Sequence, residues 1–268
     1  MKVSRSFRPK KSFKLTDSAA AEKPLSSGDK AQDKLTLEAV TEQIGALQDI
    51  FYAEHQRKIL VVLQGMDTSG KDGSVKGVFG HVDTLGIRSV AFKTPTTTEL
   101  AHDYLWRIHS EVPELGEIVI FNRSHYEDVL ITRVHGWIDD AECSRRYAQI
   151  RDFERLLAET GTVVLKFFLH ISKEEQKRRL QERIDNPNKH WKFELQDLEE
   201  RKFWSDYQAR YANAINQTDA DHAPWYVIPA DSKTHRNLAI ATILLETLNQ
   251  MKLVYPPAKP ELAKLKIE

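Results

Sequence analysis

The feature that most constrains this chain is the segment ILVVLQGMDTSGKDG, residues 59–73, where an apolar run leads into a glycine-containing loop. The apolar residues 59–63 predict a buried strand, and the residues after Lys71 predict a helix. Strand, glycine loop and helix in this order are typical of a phosphate-binding loop, in which backbone N–H groups and the helix N-terminus form an anion site. The sequence therefore predicts a P-loop; the alternative is an ordinary turn from strand to helix.

Two carboxylates make this loop unusual. Asp72 follows the lysine, where a Ser or Thr hydroxyl normally binds Mg²⁺, and Asp67 lies inside the loop itself. Carboxylates in an anion site are reasonable if a cation lies between them and the phosphate. We predict phosphate contacts from six residues of this segment: Gly65, Thr68, Ser69, Gly70, Lys71 and Asp72.

Composition and charge limit the class of protein. A chain of 268 residues that is 41% hydrophobic forms one large domain with a real core, which we place at residues 35–255. A single cysteine, Cys143, excludes an internal disulfide and a cysteine-based zinc site, so we expect a cytoplasmic protein. No apolar run approaches the ~18–20 residues of a membrane span. Residues 1–34 hold nine Lys/Arg against four Asp/Glu and predict a basic tail, flexible or wrapped on the surface, and residues 256–268 predict a second tail.

Strand and helix signals alternate after the glycine loop, which predicts an α/β fold with a parallel five-stranded sheet and helices on both faces. We predict continuous helices over residues 99–110 and near residues 125–134. Ligands of such sheets bind at the C-terminal ends of the strands. The glycine loop and residues 122–128 both fall there.

The segment FNRSHYED, residues 121–128, follows a predicted strand and is dense in polar groups. Arg123 at a strand end can bind a phosphate with two parallel hydrogen bonds, and the carboxylates of Glu127 and Asp128 follow it. The alternative is a helix start in which Ser124 and Glu127 form a capping box. Both can hold at once, with Asp128 facing the site.

A third segment, residues 173–192, is strongly basic and contains a polar break at Pro187. A helix, a break and another helix before the last strand are typical of a lid over a phosphate site. Arg179 and Arg183 are four residues apart and share a helix face. The alternative is a solvated helix with internal Glu–Arg pairs. We also predict phosphate contacts from four other cations: Arg107, Arg133, Arg178 and Lys189.

With these segments in hand, the chain resembles the polyphosphate kinase 2 family from about residue 35 to about residue 248. Four motifs carry the resemblance: QGMDTSGKDG, FNRSHYEDVLITRVH, KRRLQERIDNPNKHWKF and DHAPWYVIPADSKTHRNLAI. The resemblance implies a three-layer P-loop kinase-like fold with a helical lid at about residues 178–200, which we call the lid segment. It also implies phosphoryl transfer between inorganic polyphosphate and a nucleotide with Mg²⁺, or Mn²⁺, as cofactor. Asp67 would then position the metal and the acceptor.

The second motif departs from the larger subgroups of that family, which have an acid at the Asn122 position and an asparagine at the Glu127 position. Glu127 followed by Asp128 resembles the class III subgroup, which uses nucleoside monophosphates as well as diphosphates. The resemblance thus implies conversion of AMP to ADP and of ADP to ATP, or of the guanine nucleotides. It moves the second metal ligand from Asn122 to Asp128, beside Asp67. It further implies a homodimer or homotetramer, without nucleic acid or membrane as a partner.

The residues by themselves support only a Mg²⁺-dependent phosphotransferase that acts on small phosphorylated molecules; polyphosphate as donor comes from the resemblance. Two rival interpretations stay open. One is an ATP-dependent nucleoside or nucleotide kinase, and the other is an inactive module that binds polyanions. For the enzyme we predict seven catalytic residues: Asp67, Lys71, Arg123, Glu127, Asp128, Arg179 and Arg183.

Overall fold

The structure, a computed structural model, describes residues 2–261 and residue 267. Its centre is one sheet of five parallel strands in the order β2-β3-β1-β4-β5. The strands are β1 Lys58–Gln64, β2 Ile87–Ala91, β3 Ile118–Asn122, β4 Thr162–His170 and β5 Trp225–Pro229. The prediction of a five-stranded parallel sheet is confirmed.

Helices cover both faces of the sheet. The α-helices of the described residues are α1 Lys30–Glu54, α2 Lys71–Phe79, α3 Thr97–Leu100, α4 Trp106–His109, α5 Ile131–Val134, α6 Asp140–Glu159, α7 Lys173–Asp185, α8 Leu195–Lys202, α9 Trp204–Thr218 and α10 Lys233–Gln250. Side chains of β1 alternate between the two faces because a strand has a period of two. Leu60 and Val62 pack in the core under α6 and α9, whereas Val61 and Leu63 pack in the core under α1, α2 and α10.

The register of the sheet brings the predicted site segments to one edge. Leu63 of β1 lies opposite Asn122 of β3 on one side and opposite Phe167 of β4 on the other. All strands run the same way, so the chain leaves β1, β3 and β4 at neighbouring points. The glycine loop therefore lies beside residues 123–128 and beside the start of α7.

Two predicted helices are not continuous. The region predicted as one helix over residues 99–110 forms two single turns, α3 and α4. Thr96 begins the first turn with a capping box to Glu99, and the Asp103 carboxylate accepts from the Leu105 N–H at 3.0 Å and starts the second. Side chains that bond the nearby backbone in this way compete with helix continuation. The region near residues 125–134 is a 3₁₀ turn, His125–Val129, followed by the single turn α5.

The basic N-terminal residues lie against the domain. Phe7 is buried, the Thr16 carbonyl contacts His170 Nε2 at 2.8 Å, and the Ala20 carbonyl accepts from the Asp231 N–H at 3.1 Å. Helix α1 begins at Lys30, inside the region predicted as a tail. Among the described residues no helix is long and apolar enough to cross a membrane. Of the predicted C-terminal tail, residues 262–266 and 268 lie outside the described residues.

Candidate active site

The loop between β1 and α2 has backbone geometry that depends on its glycines. A Cβ at Gly65 would lie 2.7 Å from the Leu169 carbonyl oxygen, so the loop can pass β4 closely only without a side chain there. Gly70, directly before α2, has a φ of +102°, a left-handed conformation that favours glycine. Thr68 has a φ of +63°, which is uncommon and strained for a residue with a β-branched side chain. The loop is thus a strained, tightly packed turn at a helix N-terminus.

Lys71, the first residue of α2, folds back across this loop. Its side chain is buried, with 9% of the residue exposed, and Nζ donates to the carbonyl oxygens of Gly65 at 2.7 Å and Met66 at 3.3 Å. Burial and the nearby Arg123 lower the pKa of Lys71 to about 8, and the carboxylate of Asp67 acts in the opposite direction. An anion bound at the loop would offer this ammonium group a stronger partner than the two carbonyls.

Arg123 forms the opposite wall of a narrow cavity above the loop. It follows β3 with a φ of +63°, and Nη2 donates to Asp67 Oδ1 at 3.0 Å. Burial alone would lower the pKa of Arg123, but the carboxylates of Glu127 and Asp67 outweigh it and raise the pKa. The guanidinium is therefore charged, bonded to Asp67 and near the Glu127 carboxylate. A phosphate entering this cavity would meet the Arg123 cation directly, with the buried Lys71 ammonium nearby.

Glu127 lines the same cavity and does not close a capping box. Ser124 does begin the 3₁₀ turn, with its hydroxyl accepting from the Tyr126 N–H at 3.2 Å. The buried Gln64 amide is satisfied when its nitrogen donates to Glu127 Oε1 at 3.0 Å and its oxygen accepts from Ser124. The structure thus supports the Ser124 cap while leaving the Glu127 carboxylate toward the site.

Asp128 lies in a different cavity from Asp67. Asp128 lines a cleft of about 530 Å³ between α3, α4 and α6, together with Arg107 and Arg146. Each arginine approaches its carboxylate only to 3.9 Å, and Asp128 Oδ2 is buried without a hydrogen bond. Burial raises the pKa of Asp128 to about 6, although both arginines oppose this. The two carboxylates predicted to share a metal are therefore placed in neighbouring but separate cavities.

Arg107 is the second charged group of that cleft. It is buried, its Nη1 donates to the Lys93 carbonyl at 2.8 Å, and its guanidinium lies over the Phe92 ring at 5.6 Å from the centroid. No carboxylate of the described residues hydrogen-bonds to it. Arg107 thus remains a candidate phosphate contact, but in the cleft beside Asp128 and not in the cavity above the loop.

Arg179 and Arg183 have different surroundings although they are four residues apart on α7. Arg179 is buried and donates to four backbone carbonyls, among them Thr68 at 2.9 Å and Ala230 at 2.7 Å. Arg183 is partly exposed and donates to the Lys192 carbonyl at 2.7 Å and to Asp197 at 3.4 Å. Arg179 therefore supports the loop from behind, whereas Arg183 ties α7 to the rest of the lid segment.

The remaining predicted cations are paired with acids near the surface. Arg178 bonds Glu175 at 2.6 Å, Lys189 bonds Glu182, and Arg133 bonds Asp140 at 2.9 Å. None of these three cations lines the cavity above the loop. The Asn122 amide donates to Asp72 at 2.6 Å, which links the end of β3 to the first turn of α2.

The sequence analysis missed the part of the cavity wall that comes from α7, α8 and α9. Its additional lining residues are Gln176, Glu200, Arg201, Tyr207 and Tyr211. The Tyr207 hydroxyl donates to Glu200 at 2.7 Å, and Arg201 donates to Gln176 at 2.6 Å. The only sequence signal for them was the pair of tyrosines four apart on one helix, a pattern that core helices also show.

A parallel sheet with a glycine loop between its central strand and a helix, a buried lysine at that loop, and an arginine at the neighbouring strand end define a P-loop kinase-like phosphotransferase. The family model "Polyphosphate kinase 2 (PPK2)" matches residues 27–255. The chain belongs to the polyphosphate kinase 2 family.

Known relatives agree with this assignment. The chain is 52% identical over 231 residues to an AMP/ADP-polyphosphate phosphotransferase of Meiothermus ruber, covering 86% of each protein. It is 40% identical over 236 residues to an ADP-polyphosphate phosphotransferase of Rhodopseudomonas palustris, covering 84% of this chain and 82% of the relative. The crystal structure of polyphosphate kinase 2 from Arthrobacter aurescens TC1 superposes with a TM-score of 0.95 at 42% identity, over 98% of this chain and 95% of that one.

Proposed function

We propose that this enzyme transfers a phosphoryl group from inorganic polyphosphate to AMP and ADP, reversibly and with Mg²⁺. The observation that carries the proposal is the narrow cavity lined by Asp67, Arg123 and Glu127, with the buried Lys71 ammonium close enough to interact with the charges of all three. This arrangement stabilises charge on a transferring phosphoryl group without supplying a nucleophile. The names of the Meiothermus and Rhodopseudomonas relatives support polyphosphate as donor and adenine nucleotides as acceptors.

In the proposed reaction an oxygen of the acceptor phosphate attacks the terminal phosphorus of polyphosphate. The bond from that phosphorus to the bridging oxygen breaks, and the shortened polyphosphate leaves with the bond's electrons. The acceptor phosphate is already ionised near neutral pH, because its second pKa is about 6, so the site needs no general base. Positioning and charge neutralisation then carry most of the rate enhancement, and Lys71 and Arg123 supply the charge.

The residues present fit a magnesium ion that the substrate helps to bind. Mg²⁺ prefers oxygen ligands and usually takes one or two carboxylates together with substrate phosphates. Asp67 and Glu127 line one cavity and can provide those carboxylates. The described residues contain no group of three or more His, Cys, Asp or Glu placed to hold a metal by themselves. When bound, the ion would neutralise charge on the phosphates, and Asp128 would act from the adjoining cleft.

One assay tests the donor. Purified protein is incubated with polyphosphate, Mg²⁺ and AMP or ADP, and the product nucleotides are separated; we expect ADP and ATP to form. Lys71→Ala serves as the matched control that separates transfer at this site from a contaminating activity. Product with ATP as donor but none with polyphosphate would establish an ATP-dependent nucleotide kinase. Binding of polyphosphate without product would establish a module that only binds polyanions.

A second assay tests the acceptor range. The attacking oxygens of AMP and ADP differ in position by one phosphate, so AMP needs a bridge by metal or water to reach the transfer point. We propose that Glu127 holds this bridge, and we expect Glu127→Asn to lower kcat/KM for AMP more than for ADP. An unchanged AMP-to-ADP ratio with a small drop in melting temperature would limit Glu127 to a structural role.

A further inference from the structure

Two buried guanidinium groups lie behind the glycine loop, and the second of them has no role in the site described above. Arg236, on the first turns of α10, is 2% exposed. Its Nη1 donates to the Ser69 carbonyl at 3.2 Å, and its Nε and Nη2 donate to Asn237 Oδ1 at 3.1 and 2.9 Å. Arg179 reaches the same Ser69 carbonyl at 3.3 Å from α7. One peptide group of the loop thus accepts from two cations.

The charge of Arg236 is not neutralised by a side chain. Arg179 has Glu175 at 2.7 Å, but among the residues that the structure describes no carboxylate pairs with Arg236. Burial and the charge of Arg179 lower the pKa of Arg236 to about 9. A buried cation without a counter-ion is costly for the folded protein. A bound anion on the other side of the loop would reduce that cost.

Glycines create the space that Arg236 occupies. A Cβ at Gly70 would lie 1.9 Å from Arg236 Nη1, and one at Gly73 would lie 3.1 Å from Nη2. A Cβ at Gly77 would lie 2.0 Å from Asn237 Nδ2. Gly70, Gly73 and Gly77 therefore let the Arg236–Asn237 pair pack directly against the loop and α2.

The direction of the shared peptide group explains what this contact does. In a planar trans peptide the C=O and N–H bonds point in opposite directions. Because the Ser69 carbonyl points at both guanidiniums, the N–H of Gly70 in the same peptide points away from them. The first amides of α2 also lack helical partners and are available to an anion at the helix N-terminus.

We propose that Arg236 is a positioning residue for phosphate binding, which fixes the Ser69–Gly70 peptide with its N–H outward and adds a buried positive charge behind the loop. This inference rests on the proposed function, because it assigns Arg236 to the same phosphate site. Arg236 acts through the loop backbone and does not touch the substrate. The chemical class of ligand that it favours is a phosphate chain.

Calorimetric titration of the full chain with tripolyphosphate, without nucleotide, tests the proposal apart from turnover. We expect Arg236→Met to bind roughly tenfold more weakly or worse, as loss of one charge near an anion predicts. Arg236→Lys keeps the charge but cannot bond Ser69 and Asn237 together, so we expect an intermediate affinity. Arg57→Met is the matched control, because Arg57 precedes β1 at the far end of the sheet and donates to the Met251 carbonyl. We expect its affinity to equal that of the unmodified chain.

The outcomes separate positioning from simple loss of stability. Melting temperatures are measured on the same samples, and affinities are compared only where the protein is folded. Unmodified affinity in a folded Arg236→Met protein, or an equal loss in Arg57→Met, would overturn the proposal. If Arg236→Met does not fold, Arg236→Lys decides: full affinity would overturn the proposal, and an intermediate one would support it. If the affinities for tripolyphosphate fall in the expected order, from the unmodified chain through Arg236→Lys to Arg236→Met, but no phosphoryl transfer is detected, only the proposed function would be refuted.

Discussion

Two sets of cations surround this active site, and they differ in burial and in their contacts with the glycine loop. The inner set, Lys71, Arg179 and Arg236, is buried and donates to backbone carbonyls of the glycine loop and its surroundings. The outer set, which includes Arg178 and Arg183 of the lid segment, is more exposed and contacts acidic side chains. A buried charge is screened much less by salt and acts more strongly on a neighbouring anion, whereas an exposed pair contributes little and is weakened by salt.

This contrast changes how the basic character of the lid segment is interpreted. The number of its lysines and arginines suggested a surface that grips a polyanion. In the structure most of these cations already have partners, as Lys189 does with Glu182. The cations with the greatest influence on the loop are few and come from three distant parts of the chain. The predictions below test whether this division between inner and outer cations is correct.

The largest effect is expected for Lys71→Ala. Removal of a preorganised charge at the transfer point is worth about 2.7–4 kcal/mol of barrier, or roughly 10²–10³ in kcat. The protein should stay folded, since the ammonium group gives up only two carbonyl partners. Steady-state kinetics and a thermal melt measure both. Turnover near that of the unmodified enzyme would show that Lys71 is not at the transfer point.

Arg179→Met is expected to lower the stability of the folded protein as well as its turnover. The change leaves buried carbonyls of the loop, and the Ala230 carbonyl directly after β5, without this donor. We expect it to lower the free energy of unfolding by about 2–4 kcal/mol. Arg178→Met is the matched control: it is the adjacent residue, shares Glu175 and is exposed, so about 0.5 kcal/mol or less is expected. Denaturant unfolding of both variants measures the difference. Equal losses would remove the distinction between inner and outer cations on α7.

Asp128→Asn is expected to stabilise the protein above pH 6 while lowering its activity. Because burial raises the pKa of Asp128 from 3.8 to about 6, the folded state binds more protons than the unfolded state between these values, and stability falls as pH rises through them. The neutral asparagine avoids that loss, so the variant should gain up to about 3 kcal/mol at pH 8, since each pKa unit corresponds to about 1.4 kcal/mol, and progressively less as the pH falls from 6 toward 4. Melting temperatures across this range provide the test. A difference independent of pH would contradict the buried-charge interpretation.

The smallest effect is expected for Arg183→Gln. Its contacts with Asp197 and the Lys192 carbonyl are partly exposed, so about 1 kcal/mol of stability or less is at stake. If the outer cations help to attract polyphosphate, KM for polyphosphate should rise a few-fold at low salt and the difference should disappear at high salt, where charges are screened within ~3 Å. A KM that does not change at any salt concentration would remove Arg183 from the donor site.

Much of the fold followed from local sequence patterns. The apolar run before Gly65 and the alternation of strand and helix signals were enough to predict a parallel sheet with helices on both faces. Each of these patterns depends only on residues that are close together in the sequence. The predicted helix over residues 99–110 was wrong, because the Asp103 side chain bonds the backbone two residues on and interrupts it. Such competition between a side chain and the helix leaves no trace in hydrophobic periodicity.

The candidate site was predictable in part. The sequence placed Asp67, Lys71 and Arg123 at one edge of the sheet, since neighbouring parallel strands end together. It did not show that Asp128 lies in a different cavity from Asp67. Glu127 and Asp128 are successive residues of a 3₁₀ turn and face different directions, so only Glu127 shares the cavity of Asp67. It also did not reveal the tyrosines and polar residues of α8 and α9, which reach the cavity only through the packing of distant helices.

The sequence by itself determined that this chain carries a glycine loop between a strand and a helix and belongs among P-loop kinases, because that loop is a local structure whose geometry is set by consecutive residues. Only the tertiary structure decided which cations support it. Arg179 and Arg183 look equivalent along α7, yet packing buries one and exposes the other. Arg236 is separated from Ser69 by 167 positions, and it reaches the loop because Gly70 and Gly73 leave room for it. Charge near a phosphate site depends on distance and burial, and both are properties of the folded chain.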